Sequence, residues 1–284
     1  MSDHGWSLQE SWFDVGISRK PNFESPVYEE ALARLLFIVE QQRQCGILFG
    51  PIGAGKSLLL EQLSRIVRRA SREIAVVDVH GRTSVEILWE LCGELGLSPH
   101  FGESAFVLWR RILDYFLANQ GLDLPTVVIL DHADQGAPES DCLVSRLVHL
   151  AGHGRGLSLI LAVRGHQLAD LPEAFREATD IRVELTWLDR QQTEAFVRAV
   201  FQSPVDSLPL FEDRAIDRLY VISQGSPRVL TQLCDLSLLA VMAAGDETIS
   251  EHVVLSAAAD LQISGAHSIR TSVSLNASHD PYEY

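Results

Sequence analysis

The chain has 284 residues, 46% of them hydrophobic, and a formal net charge of −15; it can bury one large core or a large and a small one, and it is too acidic for a broad nucleic-acid-binding surface, though a local basic patch survives that arithmetic. Its four cysteines, Cys45, Cys92, Cys142 and Cys234, form no CxxC pair, which suggests neither a zinc site nor a disulfide framework and fits a reducing, cytoplasmic setting. The opening MSDHGWSLQESWFDVG has no basic region followed by an apolar run, and the richest apolar stretches, Leu157–Val163 and Leu236–Ala244, are short for a bilayer, so direct membrane insertion is not expected.

In chain order, residues 1–24 form a leading segment. The run Pro26-Val27-Tyr28 then opens a helical stripe continued by Leu32 and Leu35. From Cys45 to Leu185, short apolar or β-branched runs alternate with longer segments of helical period, the pattern of a parallel sheet covered by helices. Strands are expected at Gly46–Phe49, Ile74–Val79, Thr126–Leu130, Leu157–Val163 and Ile181–Leu185. Helices are expected at Lys56–Ala70, Val85–Leu95, Ala105–Ala118 and Asp141–Ala151. Past Leu188 the strand pattern stops, and Gln191–Phe201, Phe211–Ser223, Pro227–Ala244 and Ser250–Leu261 all read as helical. The expected fold class is α/β: a parallel sheet flanked by helices over residues 25–188, then a small all-α domain over 189–262. Residues 263–284 are polar and Ser-rich, a tail that cannot offset its ordering entropy.

The octapeptide Gly50-Pro51-Ile52-Gly53-Ala54-Gly55-Lys56-Ser57 fits GxxxxGK[ST] at every fixed position. It follows the apolar run Ile47–Phe49 and leads into the helical stripe near Leu58. A Gly-rich turn at a helix N-terminus lets backbone N–H groups converge on phosphate oxygens without Cβ clashes. The loop therefore points to a P-loop for a nucleoside triphosphate, ATP with Mg²⁺, cradled by residues 50–58. Lys56 supplies a charge to the β- and γ-phosphates, and the Ser57 hydroxyl is a Mg²⁺ ligand. A second motif should bring an acid to that metal. The apolar run Thr126–Leu130 ends in Asp131, the candidate; a plain helix cap or turn residue is the competing reading of that carboxylate.

Together these features resemble the AAA+ ATPases, and within them the ExeA/GspA-like ATPases of the general secretion pathway, with the TniB-type transposition helpers as cousins. The resemblance runs from about Phe13 to Leu261. Beyond the P-loop it is most specific at Ser223-Gln-Gly-Ser-Pro-Arg228, followed by Leu230, Leu233, Cys234, Asp235, Leu238 and Leu239, which looks like the family's SxGxPRxxNxLCDxALL segment. It implies a helical lid and makes Arg228 a sensor-2 arginine, projected from the first turn of a helix that Gly225 and Pro227 introduce. By the same resemblance, Val27 and Tyr28 are adenine-contact candidates, against an ordinary core role. Arg164 falls at the sensor-1 position, and Arg176 and Arg182 in the arginine-finger region, where solvated arginines are the plainer reading.

One departure stands out. Where the family has Glu after the second-motif Asp, as in DEAQ, this chain reads Asp131-His132-Ala133-Asp134. The residue that orients the attacking water is thereby replaced. A neutral His132 is a candidate base, favoured in that form by Mg²⁺ and Lys56; Asp134 is another, although a loop or capping carboxylate pointing elsewhere is its simpler reading. Two states stay open: slow hydrolysis, or binding without turnover as a switch. The leading expectation is a weak ATPase, with catalytic Lys56, Asp131, His132 and Arg228, that closes on ATP, self-associates and regulates an unidentified partner assembly of the secretion type. The relatives carry membrane and peptidoglycan-binding segments after the ATPase region, which this sequence does not show. The alternative is a DNA-transaction helper, permitted by the basic cluster Arg65, Arg68, Arg69 and Arg72 but disfavoured by overall charge. A small-molecule kinase would share the loop but not the Ser223–Arg228 segment.

Overall fold

The computed structural model describes residues 26–122, 124–152, 156–165, 179–201 and 210–263. Expectations for the leading segment and for the tail beyond Ile263 lie outside the described residues. The chain divides into two compact units, Pro26–Thr186 and one whose described residues begin at Trp187.

The first unit runs α1 (Pro26–Glu40), β1 (Cys45–Gly50), α2 (Lys56–Arg69), β2 (Glu73–Asp78), α3 (Ser84–Glu94), α4 (Ala105–Gly121), β3 (Thr126–Asp131), α5 (Ser140–Gly152), β4 (Leu157–Arg164) and β5 (Ile181–Glu184). Its five strands lie in the order β2-β3-β4-β1-β5, and every neighbouring pair is parallel. Every residue of β1 is buried, as are all of β3 but Asp131 and all of β4 but Arg164. Strands covered on both faces read as continuous apolar runs, which is why sequence finds them. Alternate side chains feed two cores. Ile47, Phe49, Val128 and Leu130 join residues of α3, α4 and α5, while Leu48, Ile129, Ile160 and Ala162 join residues of α1 and α2. β2 spans Glu73–Asp78, one residue earlier than expected, so an acid ends that strand. A capping box starts α3: the Thr83 side chain accepts from the Glu86 amide, and the Thr83 amide donates to the Glu86 carboxylate at 2.8 Å.

The second unit contains α6 (Arg190–Phe201), β6 (Leu210–Phe211), α7 (Asp213–Ser223), α8 (Pro227–Ala244), β7 (Thr248–Ile249) and α9 (Glu251–Asp260). Helices dominate as expected, but strands do not stop at Leu188: β6 and β7 form a short parallel pair, Leu210 opposite Thr248 and Phe211 opposite Ile249. Phe211 and Ile249 are buried at the entrances of α7 and α9, so each enters the core on an extended residue and the helix starts after it. By length and composition alone α8 is long and apolar enough to cross a membrane, further than its apolar stretch from Leu236 suggested. Its Leu230, Leu233, Cys234, Leu238 and Val241 pack in this unit's core with Phe196, Phe211, Ile216 and Val254.

Candidate functional site

β1 delivers the chain to Gly50, where a Cβ would sit 2.2 Å from the Leu185 carbonyl oxygen. Only glycine fits that approach, because the obstacle is backbone held by its own hydrogen bond, the Leu185 amide donating to the Phe49 carbonyl at 2.9 Å. The loop then turns through Gly53 and Gly55, both at positive φ, with the Ala54 amide donating to the Pro51 carbonyl at 3.3 Å. Gly55 is the N-cap of α2 and has no side chain to cap it. The donors of the first helical turn are therefore free of side-chain competition for an anion. Pro51 and Ala54 are buried and shape the loop, while Ile52, Ser57 and Leu58 are exposed along its rim.

Lys56 is buried, and its ammonium donates to the carbonyls of Gly50 at 2.7 Å and Pro51 at 3.0 Å. Burial pushes its pKa below the ordinary lysine value; the charges of Asp131 and Asp134 oppose that shift and Arg164 adds to it. On α1, Tyr28 packs beside the loop, its ring edge 3.7 Å from where a Gly55 Cβ would lie. Its hydroxyl is buried and makes no hydrogen bond among the described residues, a polar atom that needs a partner. Burial and the charge of Glu61 push the phenol pKa up. Val27 is half-buried in the same first turn.

β3 ends at Asp131, a largely buried carboxylate that accepts from the His132 amide at 2.9 Å. Asp131 lies in register with Asp78, the last residue of β2. His132 takes a left-handed conformation, φ +52°. Its Nδ1 lies 2.9 Å from Asp78 Oδ1 and 3.7 Å from Asp131 Oδ1, so Asp78 joins Asp131 in flanking it. Burial would raise the Asp78 pKa, but the His80 amide, the His132 hydrogen bond and charge, and Arg82 outweigh it and hold the carboxyl below its usual range. Asp134 is engaged elsewhere: Oδ1 accepts from the Arg164 amide and Oδ2 from its Nε, both at 3.1 Å. Arg164 is the last residue of β4, beside Gly50 in the sheet. P-loop, Asp131, His132, Asp134 and Arg164 thus share the carboxyl edge of the sheet, where ligands of parallel sheets bind. Asp78 belongs with them and escaped the sequence reading; an acid ending a strand next to that of Asp131 was the available signal.

A hydroxyl at Ser57 and a carboxylate at Asp131 form a hard-oxygen donor set, which suits Mg²⁺ completed by phosphate oxygens and water. Arg182 is exposed on the edge strand β5, opposite Ile47, and Arg176 lies outside the described residues. In the second unit, α7 ends at Ser223, Gln224 and Gly225 have φ +52° and +78°, and Ser226 stands at the N-cap position of α8 without a side-chain capping bond, Pro227 following in the first turn. A Cβ at Gly225 would lie 1.8 Å from the Leu188 carbonyl oxygen. Arg228 follows Pro227 and is exposed. Three of the four arginines proposed as a basic patch have protein partners: Arg65 pairs with Glu61, Arg68 with Glu94 at 3.2 Å, and Arg72 donates to the Val39 carbonyl at 2.8 Å.

Comparison with known proteins agrees with this geometry. Residues 39–171 match the AAA domain family. The chain is 27% identical over 253 residues to General secretion pathway protein A of Aeromonas hydrophila, covering 86% of this chain and 45% of that protein, so it spans less than half of the relative's length. Cdc6p from Pyrobaculum aerophilum superposes with a TM-score of 0.71 at 16% identity, covering 87% of this chain and 70% of that one. A structure of Drosophila ORC bound to DNA does so with 0.68 at 13% identity, covering 92% and 70%. At such identities these two structures speak for the fold, and the expected parallel P-loop NTPase sheet is borne out. The match to AAA domains covers residues 39–171, and the resemblance to AAA+ ATPases of the general secretion pathway, read from the motifs, holds across most of the chain.

Proposed function

We propose that this protein binds ATP with Mg²⁺ at Gly50–Leu58 and is a weak, cytoplasmic ATPase whose ATP-bound form closes its helical unit, self-associates and regulates a partner assembly. The observation that carries the reading is Lys56, a buried ammonium held by its own loop at the head of an uncapped helix. Loop amides and Lys56 bind the phosphates, Ser57 and Asp131 hold the metal, and Tyr28 with Val27 faces the base. Bound Mg²⁺ supplies neutralisation of phosphate charge. His132 takes the position of the missing Glu as proton acceptor, in preference to Asp134, whose two oxygens are already engaged by Arg164. Arg228 is the residue through which the helical unit responds to the γ-phosphate, which ADP lacks.

A secretion-type partner is favoured by the likeness to General secretion pathway protein A. The DNA-transaction alternative draws on the fold shared with DNA-bound ORC, but the protein partners of Arg65, Arg68 and Arg72 and the net charge of −15 count against it. Phosphate release under Mg²⁺-ATP, measured at several protein concentrations for wild type and His132→Glu, tests the proposal. Slow turnover that rises with concentration and by at least about tenfold in His132→Glu is expected, since a positioned general base contributes about 10²–10⁴. Tight binding with no turnover in either protein would leave a nucleotide switch and remove the ATPase.

A further inference from the structure

In-register residues of adjacent parallel strands project to the same face, so the side chains of Asp78 and Asp131 stand together where β2 and β3 end. An extended chain would send the next side chain to the opposite face. His132 instead turns back at φ +52°, which brings its ring to the carboxylate side with Nδ1 2.9 Å from Asp78 Oδ1. Asp78 is itself fixed, because the same Oδ1 accepts from the His80 amide at 3.0 Å. The His80 ring packs edge-on against His132, centroids 5.8 Å apart, and is in turn held by Gln135, 2.9 Å from its Nδ1.

An ionised carboxylate can only accept, so the atom facing Asp78 must carry the ring proton, and in a neutral imidazole the other nitrogen then keeps the lone pair. We infer that Asp78 is a positioning residue that holds His132 in the Nδ1–H tautomer and so presents Nε2 as the proton acceptor, a carboxylate–imidazole pair standing where a single Glu carboxylate would otherwise work. The inference rests on the reading of His132 as the base. Its physical content is separate, because the tautomer of the ring exists with or without turnover. A lone imidazole partitions between two tautomers and rotates about its side-chain bonds. Bonding at one nitrogen removes both freedoms, as outer-shell partners do for other working histidines.

The test is long-range ¹H–¹⁵N correlation spectroscopy of the full chain, recorded where the ring ¹⁵N shifts themselves report a neutral imidazole, with the His132 ring assigned by loss of its signals in His132→Gln. Wild type is expected to show the proton on Nδ1 and Asp78→Ala to move it to Nε2. In parallel, Asp78→Ala is expected to lower kcat by about 10- to 100-fold with Kd for ATP changed less than about threefold, since no phosphate contact is lost. A wild-type ring protonated on Nε2, an unmoved tautomer in Asp78→Ala, or an unchanged kcat would each overturn the assignment. Should Asp78→Ala fail to fold, the wild-type spectrum alone decides. Should wild type prove unable to hydrolyse ATP, the ATPase reading falls while the tautomer still upholds or overturns the role of Asp78.

Discussion

Gly50 and Gly225 do similar work in the two units. Each lies where a Cβ would run into a backbone carbonyl, that of Leu185 at 2.2 Å and that of Leu188 at 1.8 Å. Each turn leads into a helix whose first turn carries a basic residue, Lys56 in α2 and Arg228 in α8. The outcomes differ. Lys56 is buried and held by two carbonyls of its own loop, whereas Arg228 is exposed. In the first unit the turn and its charge form a finished cradle, made largely of backbone. In the second, the turn fixes where the side chain starts and leaves its end in solvent.

The sharpest way to break this comparison is Lys56→Ala. Removing a buried, hydrogen-bonded charge proposed to face two phosphates should weaken ATP binding by about 2–5 kcal/mol, read by calorimetric titration. An unchanged Kd would mean that the loop is not the nucleotide site. Next in size are the two glycines. Gly225→Ala combines a left-handed backbone with a collision against fixed backbone, and should destabilise its unit by about 1–3 kcal/mol in urea unfolding. Gly50→Ala meets a somewhat more distant oxygen and should cost less. Equal, wild-type-like midpoints for both would show that neither approach is a packing constraint.

The cradle was legible because its specification is local. Glycine at fixed spacing, an apolar strand before and a helical stripe after leave few alternatives, and the fully buried β1, β3 and β4 announce themselves as continuous apolar runs. What escaped is non-local. The pairing of His132 with Asp78 joins residues 54 apart, and the expected strand Ile74–Val79 left Asp78 one place inside β2 instead of at its end. The engagement of Asp134 by Arg164 likewise needs two strand ends brought side by side. β6 and β7 are too short for any period to show, and exist because Phe211 and Ile249 must reach the core just before their helices. Sequence thus reads a site made of backbone more completely than one made of side chains from different strands.

The smallest effect falls on Arg228. An exposed guanidinium contributes at most about 1 kcal/mol to a partner in water, and its proposed partner, the γ-phosphate, is present in ATP and absent from ADP. Arg228→Ala should therefore leave the Kd for ADP unchanged and raise that for ATP by no more than about fivefold, the equivalent of that energy. A ratio of affinities equal to wild type would detach Arg228 from the nucleotide. A parallel loss for both nucleotides would place the residue on the shared phosphates or on the fold of α8. Only a loss confined to ATP makes the second glycine turn a reader of what the first one holds, since ADP and ATP present the same α- and β-phosphates to the loop.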